Sequence, residues 1–189
     1  MSHKIPTLKI ILGPMFSGKS TELIRYCNRC EVINVPYMLI NHAIDKRYTK
    51  EGISTHDSVS KKCIFTHKLM ELIDTDKFKE SKFIIIEEAQ FFPDLYDFVV
   101  ECLDTYKKSV IVAGLDGDYK KREFGQILKI IPHADFVVKL HALCKYCNDG
   151  TPAIFTSRIS KSTQQVDVGS ADKYEATCRK HFNLLMNNQ

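Results

Sequence analysis

Three groups of residues have types and spacing that could do chemistry. The segment Gly13-Pro14-Met15-Phe16-Ser17-Gly18-Lys19-Ser20 matches G-x-x-x-x-G-K-[ST] in full. Its glycines let successive backbone N–H groups turn inward around phosphate oxygens, and a following helix would present its positive N-terminal end to the same anion. Lys19 would then reach the β- and γ-phosphates. The Ser20 hydroxyl would bind Mg²⁺, the ion that ties the two phosphates together and offsets charge as a γ-phosphoryl group leaves. The second group, Glu87-Glu88, follows the apolar run Phe83-Ile-Ile-Ile86. Ligands of open parallel sheets bind beyond the carboxyl ends of the strands, and adjacent strand residues point to opposite sides. The two acids are therefore expected to do different jobs: Glu87 to hold Mg²⁺, Glu88 to accept the proton of an acceptor hydroxyl. Either acid alone could instead be a soluble cap on a strand end.

The third group pairs Cys144-Lys-Tyr-Cys147 with Cys178-Arg-Lys-His181. Three thiolates and one imidazole on two knuckles have the arrangement of a closed tetrahedral Zn²⁺ site, structural because four protein ligands leave no position for water. Cys27-Asn-Arg-Cys30 has the same C-x-x-C spacing but falls inside a predicted helix, where core packing is the better reading. Cys63 and Cys102 have no partner pattern.

These groups need elements to position them. Leu8–Leu12 is a short apolar run that stops at Gly13, as a buried parallel strand does before a tight turn. From Lys19 to about Glu31 there is no Gly or Pro, and Leu23, Ile24 and Cys27 share one helical face. Val35–Ile40, Phe83–Ile86 and Ser109–Ala113 read as further inner strands. Between the last two, Leu95, Phe98, Val99 and Cys102 recur at helical spacing, with Pro93 suited to the first turn. Strand, helix, strand at this spacing predicts a parallel sheet with right-handed crossovers. Residues 45–60 are polar without a convincing period and read as a long loop that could act as a lid. The composition shifts near Leu140, ahead of the knuckles, the run Ala153–Arg158 and a Val166/Val168 alternation.

Composition bounds the function. With 189 residues, 44% of them hydrophobic, the chain can bury one sizeable core. The net charge of +4 is spread along the chain, which favours small anionic ligands over nucleic acid. The knuckles hold only Lys145, Arg179 and Lys180 as cations, with no interleaved aromatic beyond Tyr146, which is thin for a phosphate backbone. Met1–Leu8 is polar and charged, and no apolar run approaches the roughly 20 residues of a membrane span. A soluble, unexported, cytoplasmic protein is expected. Its seven cysteines, an odd number, would be reduced and better suited to metal than to disulfides.

The combination of Gly13–Leu23, Asp45-Lys-Arg47-Tyr48, Thr55-His-Asp57, Glu88-Ala-Gln-Phe-Phe92-Pro93, Gly114-Leu-Asp-Gly117 and Ala171-Asp-Lys-Tyr174 closely resembles the thymidine kinase family of animal cytosol, many bacteria and large DNA viruses such as poxviruses. The resemblance covers nearly the whole chain. It implies a P-loop NTPase-like α/β domain over residues 1–140, with a parallel sheet flanked by helices and a lid near 45–60. A small zinc-binding lasso domain would follow over 141–189, its lasso running from about Thr156 to Tyr174. It also implies Mg-dependent transfer of the ATP γ-phosphate to the 5′-hydroxyl of thymidine, and of deoxyuridine.

Carried over residue by residue, the resemblance makes Glu88 the catalytic base and Gly13–Thr21 the phosphate site. Asp45 and Arg47 act near the phosphates and acceptor, where Arg47 would neutralise charge on the transferring group. Met15, Phe91, Leu115, Tyr119 and Thr156 surround the base, with Val166, Val168 and Gly169 in the lasso and Tyr174 at the deoxyribose. A homotetramer is implied, and thymidine triphosphate is a candidate feedback inhibitor.

Three departures stand out. Glu87-Glu88 replaces the family's Asp-Glu, Gly169-Ser170 replaces a Gly-Gly pair, and His181 stands where vertebrate members carry a fourth Cys. The chain ends at Gln189, without the C-terminal tail of the vertebrate enzymes, so a viral or microbial source is expected. The competing readings are a nucleic-acid ATPase that grips its substrate with the zinc knuckles and a regulatory zinc module with a degenerate P-loop. Intact Lys19 and Ser20 oppose the module, and the absence of an N-K-x-D segment opposes a GTPase.

Overall fold

Apolar runs with no polar alternation have no wet face to offer and must be covered on both sides. In the structure, a computed structural model that describes residues 5–45, 52–54 and 60–187, they become the inner strands of a parallel sheet. The elements in chain order are β1 (Leu8–Leu12), α1 (Lys19–Val32), β2 (Tyr37–His42), β3 (Gly52–Ser54), β4 (Ser60–Lys62), β5 (Ile64–Thr66), α2 (Asp76–Glu80), β6 (Phe83–Ile86), α3 (Leu95–Val100), β7 (Ser109–Gly114) and β8 (Phe136–Lys139). After Leu140 come β9 (Ala142–Leu143), β10 (Pro152–Ala153), β11 (Phe155–Arg158), β12 (Tyr174–Thr177) and α4 (Arg179–Asn187).

The main sheet has the order β5-β2-β6-β7-β1-β8, and every neighbouring pair is parallel. Alternate residues divide the core. Ile10, Met38, Ile40, Ile84, Ile86, Val110 and Val112 face Phe78 of α2 and Leu95, Phe98 and Val99 of α3. Ile11, Leu39, Ile85, Ile111 and Ala113 face Leu23, Ile24 and Cys27 of α1. A fully buried side chain of this size is worth roughly 1.5–3 kcal/mol, so both layers clamp the sheet. Burial pushes the Cys27 thiol up to about 12, which suits a packing role. The strands that deliver the phosphate loop and the acid pair, β1 and β6, both flank β7, so their carboxyl ends open on the same edge.

Several boundaries differ from the sequence expectation for identifiable reasons. The second strand begins at Tyr37, not Val35, because Pro36 has no N–H for the ladder and instead lends its carbonyl to Lys82 N at 2.9 Å. Pro93 lies ahead of α3, whose N-terminal flanking residue is Asp94. The helix loosens at Glu101–Thr105 into a π-helical turn that still buries Cys102. Within the stretch read as a lid loop, β3 and β4 pair antiparallel, Ile53 opposite Lys61. Three-residue strands are too short to declare a period. The edge strand β8 was not legible either, since Phe136 and Val137 remain exposed.

Beyond Leu140 the chain forms two small antiparallel pairs, β9 with β10 and β11 with β12, closed by α4. Phe182 of α4 is buried against Phe155, their rings 4.9 Å apart. The Val166/Val168 alternation lies outside any strand.

Candidate functional site

The phosphate loop begins where β1 ends. Gly13 has φ 149°, and a Cβ there would come within 2.6 Å of the Leu140 carbonyl oxygen, so no other residue fits this turn without displacing backbone. Phe16 and Gly18 also take positive φ before α1 starts at Lys19. Three contacts fix the loop. The Lys19 ammonium donates to the Pro14 carbonyl at 2.7 Å, Met15 N–H donates to Thr156 Oγ1 of β11 at 2.9 Å, and the Ser20 hydroxyl donates to Glu87 Oε1 at 2.9 Å.

The acid pair departs from the expected alternation. β6 stops at Ile86, and Glu88 turns into the left-handed region (φ 52°, ψ 40°) at the head of a short 3-10 turn. Such a conformation costs a non-glycine residue roughly 1–2 kcal/mol. Strand geometry therefore does not reach Glu88, and both acids line one cavity instead of opposite faces. Glu87 is 1% exposed and Glu88 8%. Gln90 Nε2 donates to Glu88 Oε2 at 2.5 Å, while Gln90 Oε1 accepts from Leu115 N at 3.0 Å.

That cavity measures about 580 Å³, within the usual range for a small-molecule site. Met15–Thr21, Asp45, Glu87 and Glu88 form its polar end. Phe91, Leu115, Tyr119 and Thr156 form an apolar slot, closed on the far side by Val166, Val168, Gly169 and Tyr174. Gly13 and Pro14 do not line it, and Arg47 lies outside the described residues, as do Thr55, His56 and Asp57. Phe91 packs edge-to-face on Phe124 and is backed by the buried His42 ring, which burial keeps less basic than an ordinary histidine.

Sequence reasoning missed the residues that hold the far wall. The Arg158 guanidinium is buried and donates to the carbonyls of Ser162 at 3.1 Å, Gln164 and Gln165 at 3.1 Å, and to the Tyr174 hydroxyl at 2.7 Å. It also stacks 3.7 Å from the centre of the Tyr119 ring. Tyr119 O–H donates to Thr163 O at 2.9 Å, and Tyr174 O–H to Asp167 O at 2.7 Å. Gln165 Nε2 reaches Asp118 Oδ2 at 3.0 Å. Burial alone would raise the Asp118 carboxyl, but hydrogen bonds from Arg122, Lys120 and Gln165 outweigh it and hold the group below the ordinary carboxylate value. The available signal was an arginine ending an otherwise apolar and hydroxyl-bearing strand.

The knuckle residues converge as their spacing predicts. The Sγ atoms of Cys144, Cys147 and Cys178 and Nδ1 of His181 all lie within 4.8 Å of one another. The Cys147–Cys178 sulfurs are 3.8 Å apart, and the three sulfur-to-Nδ1 distances are 3.4–3.5 Å. Metal–sulfur bonds of about 2.3 Å at a tetrahedral angle place sulfurs roughly 3.8 Å apart, so this cluster could hold a metal ion of that kind. Despite its burial, hydrogen bonds from the backbone and from His181 bring the Cys144 thiol down, while burial and the neighbouring Cys144 and Cys178 push the Cys147 thiol up, so without an ion the first thiolate forms at the expense of the second. Phe16 of the phosphate loop packs on this small core.

A parallel sheet with a phosphate loop at one strand end and acids at another defines a P-loop nucleotide-binding protein. The family model described as thymidine kinase matches residues 6–182. Thymidine kinase a of Arabidopsis thaliana is 43% identical over 176 residues, covering 92% of this chain and 73% of the plant protein. The cytosolic thymidine kinase of Gallus gallus is 39% identical, with 91% and 75% covered, and the thymidine kinase of Yaba monkey tumor virus is 40% identical, with 95% and 96% covered. Among solved structures, the genome packaging NTPase B204 from Sulfolobus turreted icosahedral virus 2, in complex with sulfate, is a distant likeness. Its identity is 17% and its TM-score 0.43, over 78% of each chain. The chain belongs to the thymidine kinase family.

Replacing Arg158 by Lys keeps a cation but loses the planar fork that serves several acceptors at once. Hydrogen exchange should then show amides of residues 159–173 losing protection by at least about tenfold, with those of the main sheet unchanged. Unaltered protection would mean that the wall is held elsewhere.

Proposed function

We propose that this chain transfers the γ-phosphoryl group of ATP to the 5′-hydroxyl of thymidine, with deoxyuridine as a second acceptor. The observation that carries the reading is one cavity lined at once by the phosphate loop, by two carboxylates and by an apolar slot. Family membership supplies the identity of both substrates.

In this reading the triphosphate lies in the loop Gly13–Thr21, against its backbone N–H groups and the amino end of α1. Lys19 exchanges the Pro14 carbonyl for β- and γ-phosphate oxygens. Ser20 and Glu87 present hard oxygen donors already in contact with each other, which fits Mg²⁺. The ion, when bound, offsets charge on the β- and γ-phosphates. Phe91, Leu115, Tyr119, Thr156 and Met15 enclose the thymine, with Val166, Val168 and Gly169 over it and Tyr174 toward the sugar. The 5′-oxygen attacks the γ-phosphorus as the bond to the ADP oxygen breaks, and Glu88 takes the hydroxyl proton. Asp45 borders the same space, and Arg47 is assigned the charge on the transferring group.

Cys144, Cys147, Cys178 and His181 hold a structural Zn²⁺, whose donor set and spacing they fit. Residues 141–189 then act as a zinc-held lasso domain on a nucleotide-binding domain of residues 1–140. Family membership also supports a homotetramer, cytoplasmic location and feedback inhibition by thymidine triphosphate.

Two experiments test this reading. In an assay of thymidine monophosphate formation, Lys19→Ala should abolish transfer with thermal unfolding unchanged, and Glu88→Gln should lower kcat by roughly 10² while ATP binding persists. Near-normal turnover in either variant would contradict its assigned role. Metal analysis of the purified protein should give about one tightly held Zn per chain; its absence would remove the lasso anchor from the account.

A further inference from the structure

Gln90 is buried, only 3% exposed, and its side chain spans two parts of the site. The orientation of its amide is dictated by its neighbours. Leu115 N–H can only donate, so Oε1 must face it, and Nε2 is thereby aimed at Glu88. The packing around it is close. A methyl group on Gly114 would come within 2.5 Å of Gln90 Oε1, and one on Gly125, which has φ 65°, within 2.1 Å of the Gln90 backbone oxygen. Both glycines thus make room for this residue. Glu88, in contrast, stands on a left-handed turn just past the end of β6, where the strand no longer directs its side chain.

We infer that Gln90 is a positioning residue for the reaction: its amide aims the Glu88 carboxylate at the acceptor hydroxyl and locks that aim to the nucleoside slot through Leu115. This rests on the assignment of Glu88 as the base. A hydrogen bond to a carboxylate is among the stronger kind. Because Leu115 lines the slot, a base seated against it and the carboxylate are referred to the same amide. Gln90 also borders the cavity, and in this role it acts through Glu88.

A double-mutant cycle separates this role from ordinary packing. Gln90→Met keeps the side chain's length without its donor and should lower kcat roughly tenfold or more, with thymidine binding affected far less. In the Glu88→Gln background the same substitution should change the residual kcat less than about twofold, because the group it aims is already gone. Gln90→Glu retains an acceptor for Leu115 N–H but sets two carboxylates against each other, so it should also lose kcat. That variant keeps the test available if Gln90→Met folds poorly. Equal losses in the presence and absence of Glu88 would reduce Gln90 to a structural role and overturn the inference. A near-normal kcat for Glu88→Gln alone would overturn the base assignment, and the positioning role with it.

Discussion

A cavity wall built from chain without regular secondary structure has to be held from within, and in the wall of residues 159–173 the stretch 162–165 is held by the Arg158 guanidinium. Ordering such a segment costs roughly 1–2 kcal/mol per residue in backbone entropy. No helix or sheet ladder offsets that cost here. Instead, one planar cation gathers three carbonyls and the Tyr174 hydroxyl, and stacks on Tyr119 from the loop that follows β7. Tyr119 and Asp118 in turn grip Thr163 and Gln165. The wall is thereby tied to the main sheet through one loop and to the Cys/His cluster through β11 and β12.

The same strand carries the link to the phosphates. Thr156, two residues before Arg158, accepts the Met15 N–H, so the phosphate loop and the far wall are referenced to β11. Phe16 adds an apolar contact to the knuckle core. The part of the chain beyond Leu140 thus touches both the phosphate loop and the far wall, and so bears on the width of the cavity between them. The same cavity is lined by two buried carboxylates, which are costly to bury unless given polar partners. Ser20 and Gln90 are such partners.

Much of this was legible in the residues. The phosphate loop, the inner strands, α1 and the four-ligand cluster depend on local spacing or on uninterrupted apolar runs, and these signals survive without knowledge of tertiary contacts. What was not legible depends on partners distant in sequence. The edge strand β8 has no burial to advertise it, and β3 and β4 are too short for a period. Strand alternation put Glu87 and Glu88 on opposite sides because nothing local announces a left-handed residue after Ile86. Arg158, Asp118 and Gln165 carry no motif at all. Their meaning comes from carbonyls and amides that only the folded loop brings within reach. Gln90 sat in plain view inside a family signature, but its role depends on Leu115, which the chain delivers from the next strand.

The measurement that bears most directly on the account is incubation of the purified protein with Mg-ATP and each of the four deoxynucleosides in turn, with monophosphate formation followed by chromatography. One cavity with an apolar slot walled by the Arg158-held loop predicts phosphorylation of thymidine well above deoxycytidine, deoxyadenosine and deoxyguanosine. Release of inorganic phosphate stimulated by DNA, with no nucleoside monophosphate formed, would contradict it and make the protein a nucleic-acid ATPase.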